Sequence, residues 1–227
     1  RLEIGQADGI QARSVETFQA FGFADEVIAE AYHITEMCFW KPDPQNPEHI
    51  IRTSRTPDDP TGVSEFPHLI VNQARVLDYF AEFARRSPGR ITPDCGVQFL
   101  GLEVQEEGER PVVVRVKHTA GPRAGEERTV RAKYVIGCDG ARSGVRRAIG
   151  RSLAGDAANH AWGVMDVLAN TDFPDLRTKC AISSRHGSIL HIPREGGHLV
   201  RMYVDLGEVP ADDEHRVRQT SIEEIID

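Results

Sequence analysis

Residues 134–147 read YVIGCDGARSGVRR, and this stretch decides the predicted fold. The apolar run 134–137 predicts a short strand, the pair Asp139-Gly140 predicts a tight turn, and Ser143 predicts the cap of a following helix. A strand, a tight turn and a helix in this order are typical of the nucleotide-binding edge of an α/β sheet. A capped helix also forms where no ligand binds, so the pattern alone indicates a fold more firmly than a site.

The rest of the chain predicts helices early and antiparallel strands late. Apolar residues at helical spacing predict a helix pair over 14–31, interrupted at Gly22, and a further helix that runs from its cap Asn72 to Pro88. The proline-rich stretch 41–67 predicts a long surface excursion. Residues 112–117 and 129–131 are predicted to form a hairpin. Four more strands are predicted at 162–168, 179–183, 188–192 and 198–206, and a last short helix is predicted to begin at Ser221. The predicted fold class is therefore α/β plus antiparallel β.

The composition indicates a folded protein and disfavours a general role on nucleic acid or on an anionic membrane. The chain has 227 residues, 40% of them hydrophobic, and a formal net charge of -8, whereas phosphate neutralisation needs clustered Lys and Arg. The sequence has no long apolar run and no signal peptide at its start, so we expect a cytoplasmic protein. The four cysteines lie at least 42 residues apart, which predicts reduced thiols and neither a zinc site nor a disulfide framework.

The segment ahead of the first predicted helix, residues 5–9, has the sequence GQADG. This loop has a glycine on each side of a single carboxylate, that of Asp8. Glycine has no side chain, so such a loop allows its backbone to approach a ligand closely. The same glycines can also be incidental. Two further polar residues, Lys179 at the start of a predicted strand and His68 before an apolar run, are each most simply explained as ordinary polar side chains.

The predicted strand 198–206 alternates apolar and polar residues, so that Arg201 and Tyr203 share one face. A buried face with these two side chains is costly unless they have partners. The face is therefore either exposed to solvent, the commoner arrangement in antiparallel sheets, or it lines a polar pocket. The turn before this strand adds Arg194 near the same end.

Five sequence blocks, in order, resemble the FAD-dependent aromatic hydroxylases, the family that includes phenol 2-monooxygenase and 3-hydroxybenzoate 4-monooxygenase. The blocks are GQADGIQARS (5–14), FPHLIVNQAR (66–75), YVIGCDGARSGVRR (134–147), WGVMDV (162–167) and IPREGGHLVRMYV (192–204). Together they extend over nearly the whole chain. Five ordered blocks are far more specific than any one of them, and the resemblance therefore carries implications for fold, cofactor and site.

The resemblance implies an incomplete FAD-binding α/β domain, formed by 1–33 and 67–158, joined to a β-rich substrate domain formed by 34–66 and 159–227. Family members begin with a strand and a G-x-G-x-x-G fingerprint, which this sequence lacks, and continue into a Gly-Asp block that is also missing. We therefore expect an internal fragment of a longer enzyme. Homodimers are common in the family.

The resemblance also assigns roles to residues. The residues implied in catalysis are Asp8, Tyr203 and Arg201. The residues implied in FAD binding are Gly5, Gln6, Ala7, Asp8, Gly9, Gln73, Asp139, Arg194 and Tyr203. The residues implied in substrate binding are Asp8, His68, Lys179 and Tyr203. No metal is implied.

In such enzymes NAD(P)H reduces FAD, O2 adds at flavin C4a, and the hydroperoxide hydroxylates a phenolic ring. Asp8 is implied as the carboxylate that helps the phenol, with a pKa of about 10, toward phenolate. Lys179, assisted by His68, favours 3-hydroxybenzoate over phenol as substrate, because a buried aromatic carboxylate needs a cation. Two alternatives stay open: phenol 2-hydroxylation, and a non-catalytic remnant that binds an aromatic ligand without flavin.

Overall fold

The computed structural model describes residues 2, 7–156 and 158–209, and it divides the chain into two compact units. The first unit is Ile91–Ala157, and the second combines Leu2–Arg90 with Ala158–Asp227, each within the described ranges. The helices are α1 (Ala12–Phe21), α2 (Ala24–Glu30), α3 (Gln73–Arg86) and α4 (Gly144–Ala148). The strands are β1 (Gly9–Ile10), β2 (Tyr32–Ile34), β3 (Glu36–Pro42), β4 (Ile50–Pro57), β5 (His68–Ile70), β6 (Val97–Val104), β7 (Val112–His118), β8 (Glu127–Ala132), β9 (His160–Leu168), β10 (Lys179–Ser184), β11 (Gly187–Pro193) and β12 (Leu199–Glu208).

The three longer helices lie in the second unit and confirm the predicted helix pair and the predicted cap. Gly22 ends α1 with a left-handed backbone, φ 79°, and α2 starts two residues later. Asn72 caps α3 by accepting a hydrogen bond from the Ala74 amide at 2.8 Å. These helices pack around one apolar core, whose buried members are Val15, Phe18, Phe23, Ala24, Val27, Leu69, Val71 and Val76. Within the described ranges no helix has both the length and the apolar character needed to span a bilayer.

A small antiparallel sheet of order β1-β5-β2 joins the start of the chain to the helical core. Gly9 pairs with Ile70, and the Val71 amide donates a hydrogen bond to the Asp8 carbonyl at 2.9 Å. The backbone around Asp8 is thereby fixed beside β5, the strand that begins with His68.

A six-stranded sheet of order β4-β3-β10-β11-β12-β9 forms the rest of the second unit. The four predicted strands between 162 and 206 correspond to β9 to β12 and confirm the antiparallel region. The expected surface excursion over 41–67 is partly wrong, because residues 50–57 form β4 and pair with β3 at the edge of this sheet. Pro42 and Pro57 stand at strand ends, where the missing amide of proline costs the sheet no hydrogen bond.

The first unit is a three-stranded antiparallel sheet of order β6-β7-β8 with the short helix α4 beside β6. The predicted hairpin is confirmed as β7 and β8. The predicted strand at the start of YVIGCDG is wrong, since residues 134–140 pair with no strand of the described chain. Tyr134 and Ile136 are 86% and 85% exposed, so these apolar side chains have no sheet to pack on. The expected turn and helix are present without the strand: the Ser143 amide donates to the Gly140 carbonyl at 3.1 Å, and α4 follows.

Candidate active site

The Asp8 carboxylate lies buried between two arginines from the turn before β12 and from β12 itself. Asp8, Arg194 and Arg201 are only 4%, 2% and 3% exposed. Asp8 Oδ2 lies 3.1 Å from Arg194 Nη1 and 3.4 Å from Arg201 Nη1. The Tyr203 hydroxyl donates a hydrogen bond of 3.4 Å to Asp8 Oδ1. Four predicted residues from two sequence blocks, 5–14 and 192–204, therefore lie together, and the polar face of β12 lines a buried site.

Two further carboxylates hold the arginines, and the sequence had indicated neither. Asp166 on β9 accepts two hydrogen bonds from Arg201, both of 2.7 Å. Glu195 accepts two from Arg194, of 3.0 and 2.8 Å. Asp166 lies directly opposite Arg201 in the β9-β12 register, so an opposite-charge pair across neighbouring strands was the signal that could have found it.

The environment shifts the acidities of these groups in opposite directions. Burial raises the pKa of Asp8, although Arg201, Arg194 and the Tyr203 hydroxyl oppose the rise. Hydrogen bonds from Arg201 lower the pKa of Asp166. Burial raises the pKa of Glu195 most strongly as a single cause, but the hydrogen bonds and charge of Arg194 together with a backbone hydrogen bond lower that pKa overall. Carboxyls whose pKa values are separated in this way can take different roles, with Asp8 the one suited to receive a proton.

A pocket of about 260 Å³ opens beside Asp8 and Tyr203. Its lining also includes Lys179 at the start of β10 and His68 at the start of β5. All four residues predicted for substrate binding therefore line one pocket. Its apolar walls are Ile70, Leu190 and Ile192.

Lys179 and His68 are linked through Asp58, a residue that sequence reasoning missed. The His68 ring donates from Nδ1 to Asp58 Oδ2 at 2.8 Å, and Asp58 Oδ1 lies 3.8 Å from Lys179 Nζ. On the other side of the ring, Gln11 Nε2 donates to His68 Nε2 at 3.3 Å. In this hydrogen-bond pattern the Nδ1 proton of His68 lies between the ring and Asp58. No local pattern marks Asp58, because its role depends on the residue after β4 lying near the first residues of β5 and β10.

The remaining predicted residues have other surroundings. Gln73 is exposed at the start of α3. Asp139 belongs to the first unit, where it accepts hydrogen bonds from Ser143 Oγ and the Gly144 amide, and these and related bonds lower its pKa to about 2. Its visible role is to fix the start of α4. Gly5 and Gln6 lie outside the described residues, and so does the helix predicted from Ser221.

Comparison with known proteins decides the family. A family model described as an FAD-binding domain matches residues 1–227. The chain belongs to the FAD-binding domain family. It is 51% identical over 226 residues to 3-hydroxybenzoate 4-monooxygenase of Comamonas testosteroni, a match that covers 99% of this chain and 35% of that protein. It is 42% identical over 206 residues to the FAD-dependent monooxygenase terD of Aspergillus terreus, covering 90% of this chain and 33% of that protein.

This FAD-binding domain chain thus spans about a third of the length of the curated relatives it matches. Among solved structures, p-nitrophenol 4-monooxygenase PnpA of Pseudomonas putida has a TM-score of 0.73 over 98% of this chain and 53% of that chain, at 18% identity. That likeness shows a shared fold. The predicted combination of an FAD-binding α/β region with antiparallel β structure is thereby confirmed.

Two features of the FAD-binding domain fit the edge of a flavin ring. Ala7 and Gly9 are exposed beside the pocket, so their backbone is accessible to a flat ligand. Although Arg194 Nη1 faces Asp8 Oδ2, neither buried atom makes a well-formed hydrogen bond within the described chain. A buried donor in this position suits an acceptor atom of a ligand, because an unsatisfied polar group is costly.

Proposed function

We propose that the full-length protein is an FAD- and NAD(P)H-dependent aromatic hydroxylase, and that it converts 3-hydroxybenzoate at ring carbon 4. The observation that carries the proposal is the composition of the pocket beside Asp8. Its lining holds a carboxylate and a phenolic hydroxyl, those of Asp8 and Tyr203, which contact each other, and it also holds Lys179 and His68. A hydroxybenzoate carries a phenol and a carboxylate, which are the two groups that such a lining complements.

In this proposal the chain's own residues orient the ring and move one proton. The phenol hydrogen-bonds to the Tyr203 hydroxyl and passes its proton there, while Tyr203 passes its own proton to Asp8 Oδ1, which already accepts from it. Because burial raises the pKa of Asp8, this carboxylate is a better acceptor than an exposed one. Arg194 and Arg201 keep Asp8 in place and compensate the buried charge.

FAD, when bound and reduced by NAD(P)H, would supply the activation of O2 and the transfer of one oxygen atom to the ring. The backbone of residues 5–9 and the side chains of Gln73 and Arg194 would hold it, and Asp139 would support the cofactor through the start of α4. We also propose the division into an FAD-binding domain (1–33, 67–158) and a substrate domain (34–66, 159–227), and a cytoplasmic location.

Phenol 2-hydroxylation is the second candidate, and a specific contact favours it. Asp58 Oδ1 lies 3.8 Å from Lys179 Nζ, so a carboxylate of the protein already accompanies the lysine. If that pairing satisfies Lys179, the site needs no substrate carboxylate, and a plain phenol would bind as well as the acid.

Substitution of Lys179 separates the two candidates. In the full-length protein, Lys179→Ala should weaken 3-hydroxybenzoate binding by at least about tenfold and leave phenol binding nearly unchanged, because a buried carboxylate loses its cation. Lys41→Ala is the matched control, since Lys41 is exposed on β3. Equal losses for both ligands would remove the carboxylate-binding role of Lys179.

The flavin chemistry is tested on the purified wild-type protein. A yellow protein whose NAD(P)H oxidation is stimulated by 3-hydroxybenzoate, with formation of the 3,4-dihydroxy product, is the expected result. A colourless protein that binds the acid without consuming NAD(P)H would instead support a non-catalytic aromatic-ligand-binding role.

A further inference from the structure

Asp58 lies between His68 and Lys179, the two basic side chains that line the pocket. Its Oδ2 accepts the His68 Nδ1 proton at 2.8 Å, and its Oδ1 lies 3.8 Å from Lys179 Nζ. The Asp58 amide donates to the Thr35 carbonyl at 2.9 Å, which fixes the backbone at the end of β4. The His68 side chain is 8% exposed, and those of Asp58 and Lys179 are 15% and 19% exposed. The three groups therefore form a largely desolvated network in which charges are weakly screened.

The charges of this network do not favour an anion while His68 is neutral. Lys179 carries a positive charge and Asp58 a negative one, so their fields largely cancel at the pocket. An aromatic carboxylate that enters the pocket would share Lys179 with the carboxylate of Asp58. Two negative charges at short range repel each other, and this repulsion weakens binding of the ligand. An imidazole is the side chain that changes its charge nearest to neutral pH, and here it already contacts Asp58.

We propose that Asp58 is a positioning residue that couples the binding of an aromatic carboxylate to the uptake of one proton by His68. The imidazolium then pairs with Asp58, and Lys179 is released to pair with the substrate carboxylate. This proposal rests on the proposed function, in which the substrate is an aromatic carboxylate. It specifies in addition that His68 is protonated when that substrate is bound.

Other ionisable groups near His68 do not produce the same coupling. Asp8 and Tyr203 line the same pocket, and they meet the phenol end of acidic and neutral ligands alike. On the strands beside Asp58 and His68, His33 contacts the Ile28 carbonyl at 3.0 Å, and Glu36 is paired with Arg55. A difference between an acid and its neutral analogue therefore reports on the Lys179 end of the pocket.

The experiment measures protons taken up on binding by the full-length protein as purified. Isothermal titration with 3-hydroxybenzoate in two buffers of different ionisation enthalpy, at roughly pH 7.5, one unit above the ordinary histidine value, gives that number directly. We expect about one proton per acid bound, and a dissociation constant that rises about tenfold per pH unit above neutrality. The neutral analogue 3-hydroxybenzyl alcohol should bind with no such uptake and little pH dependence.

Asp58→Asn is the decisive variant, because the amide keeps the shape and the acceptor for His68 but removes the charge. It should bind 3-hydroxybenzoate without proton uptake and more tightly than the wild type at pH 7.5, since Lys179 no longer has a competing anion. His68→Gln should also abolish the uptake, but with weaker binding. Asp43→Asn is the control, because this half-buried carboxylate follows β3 and is not among the residues that line the pocket, so its loss should change neither quantity.

The outcomes separate this inference from the proposed function. If the wild type binds neither 3-hydroxybenzoate nor the alcohol, the proposed function fails. If the acid binds but its proton uptake equals that of the alcohol, or persists unchanged in Asp58→Asn, the role of Asp58 is overturned and the proposed function stands.

Discussion

Arg194 Nη1 lies 3.1 Å from Asp8 Oδ2, although 186 residues separate the two in sequence and each side chain is only 3% exposed. Neither residue was placed by a local pattern alone. The pair joins the segment that precedes β1 to the turn that precedes β12, and it brings a buried carboxylate beside a pocket. The negative charge of Asp8 is therefore stabilised, in a poorly solvated environment, by the guanidiniums of Arg194 and Arg201.

Asp8→Asn should lower the turnover for aromatic hydroxylation by about a hundredfold or more, because it removes the proposed proton acceptor. Flavin content, read from the absorbance of the purified protein, should change little. The matched control is Asp25→Asn, an exposed carboxylate in the first turn of α2. A variant that hydroxylates at the wild-type rate would exclude Asp8 from the reaction.

The pH dependence of the same residue has a definite sign. Because burial raises the pKa of Asp8 above the ordinary 3.8, the folded protein keeps this proton at pH values where the unfolded chain has lost it. The stability that Asp8 contributes is therefore lost as pH rises from the unfolded pKa through the folded pKa.

Turnover should also depend on the protonation of Asp8, because the proposed acceptor must be deprotonated. In a plot of initial rate against pH, the midpoint of the fall on the acid side should lie above pH 3.8. A midpoint at or below 3.8 would contradict the assignment.

Arg177 is predicted to hold the turn that carries Arg194. Its guanidinium donates to the Arg194 carbonyl at 2.8 Å and to the Leu199 carbonyl at 3.0 Å, and it lies 4.7 Å from the ring centre of Tyr32. Arg177→Ala should lower the free energy of unfolding by about 2–4 kcal/mol, since two charge-assisted hydrogen bonds are lost. Urea denaturation measures the change.

The control for Arg177 is Arg185→Ala, whose ion pair with Glu48 is exposed. That substitution should alter the free energy of unfolding by less than about 0.5 kcal/mol. Similar losses for Arg177→Ala and Arg185→Ala would show that the turn does not depend on the two hydrogen bonds of Arg177.

Gly137 is predicted to be required by packing. A Cβ at this position would lie 2.7 Å from Val145 Cβ on α4, which is closer than real side chains approach. Gly137→Ala should therefore lower the free energy of unfolding by about 1–3 kcal/mol. Gly101→Ala is the control, because its new methyl would meet only the flexible end of Arg115 at 3.4 Å. Equal stability of the two variants, measured in urea, would argue against the contact.

The cysteines are predicted to fall into two reactivity classes. Cys95 and Cys138 are exposed, whereas Cys38 and Cys180 are buried on neighbouring strands. Burial raises the pKa of Cys180 to about 12 and raises that of Cys38 as well, so little thiolate forms at either. Brief iodoacetamide treatment at pH 8 followed by peptide mapping should find label on Cys95 and Cys138 only. Rapid labelling of Cys180 would contradict its burial.

Local pattern was sufficient for elements that depend on their own residues. The break at Gly22, the Asn72 cap and the β7-β8 hairpin follow from glycine conformation, a side-chain acceptor and period-two alternation, and the structure confirms each of them. Elements that need a distant partner were less well predicted. Residues 134–138 have strand-like composition but no neighbouring strand in the described chain, and the stretch around β4 became a strand because β3 lies beside it.

The candidate site likewise has features that depend on one element and features that depend on distant segments. Sequence by itself determined that Arg201 and Tyr203 share a face of one strand, because successive side chains of a strand alternate. Only the tertiary structure decided that this face is buried, that Asp8 meets it, and that Asp166 and Asp58 complete the charge network. The physical reason is that periodicity fixes neighbours along an element, whereas burial and ion pairing depend on strand order and register between segments far apart in the chain.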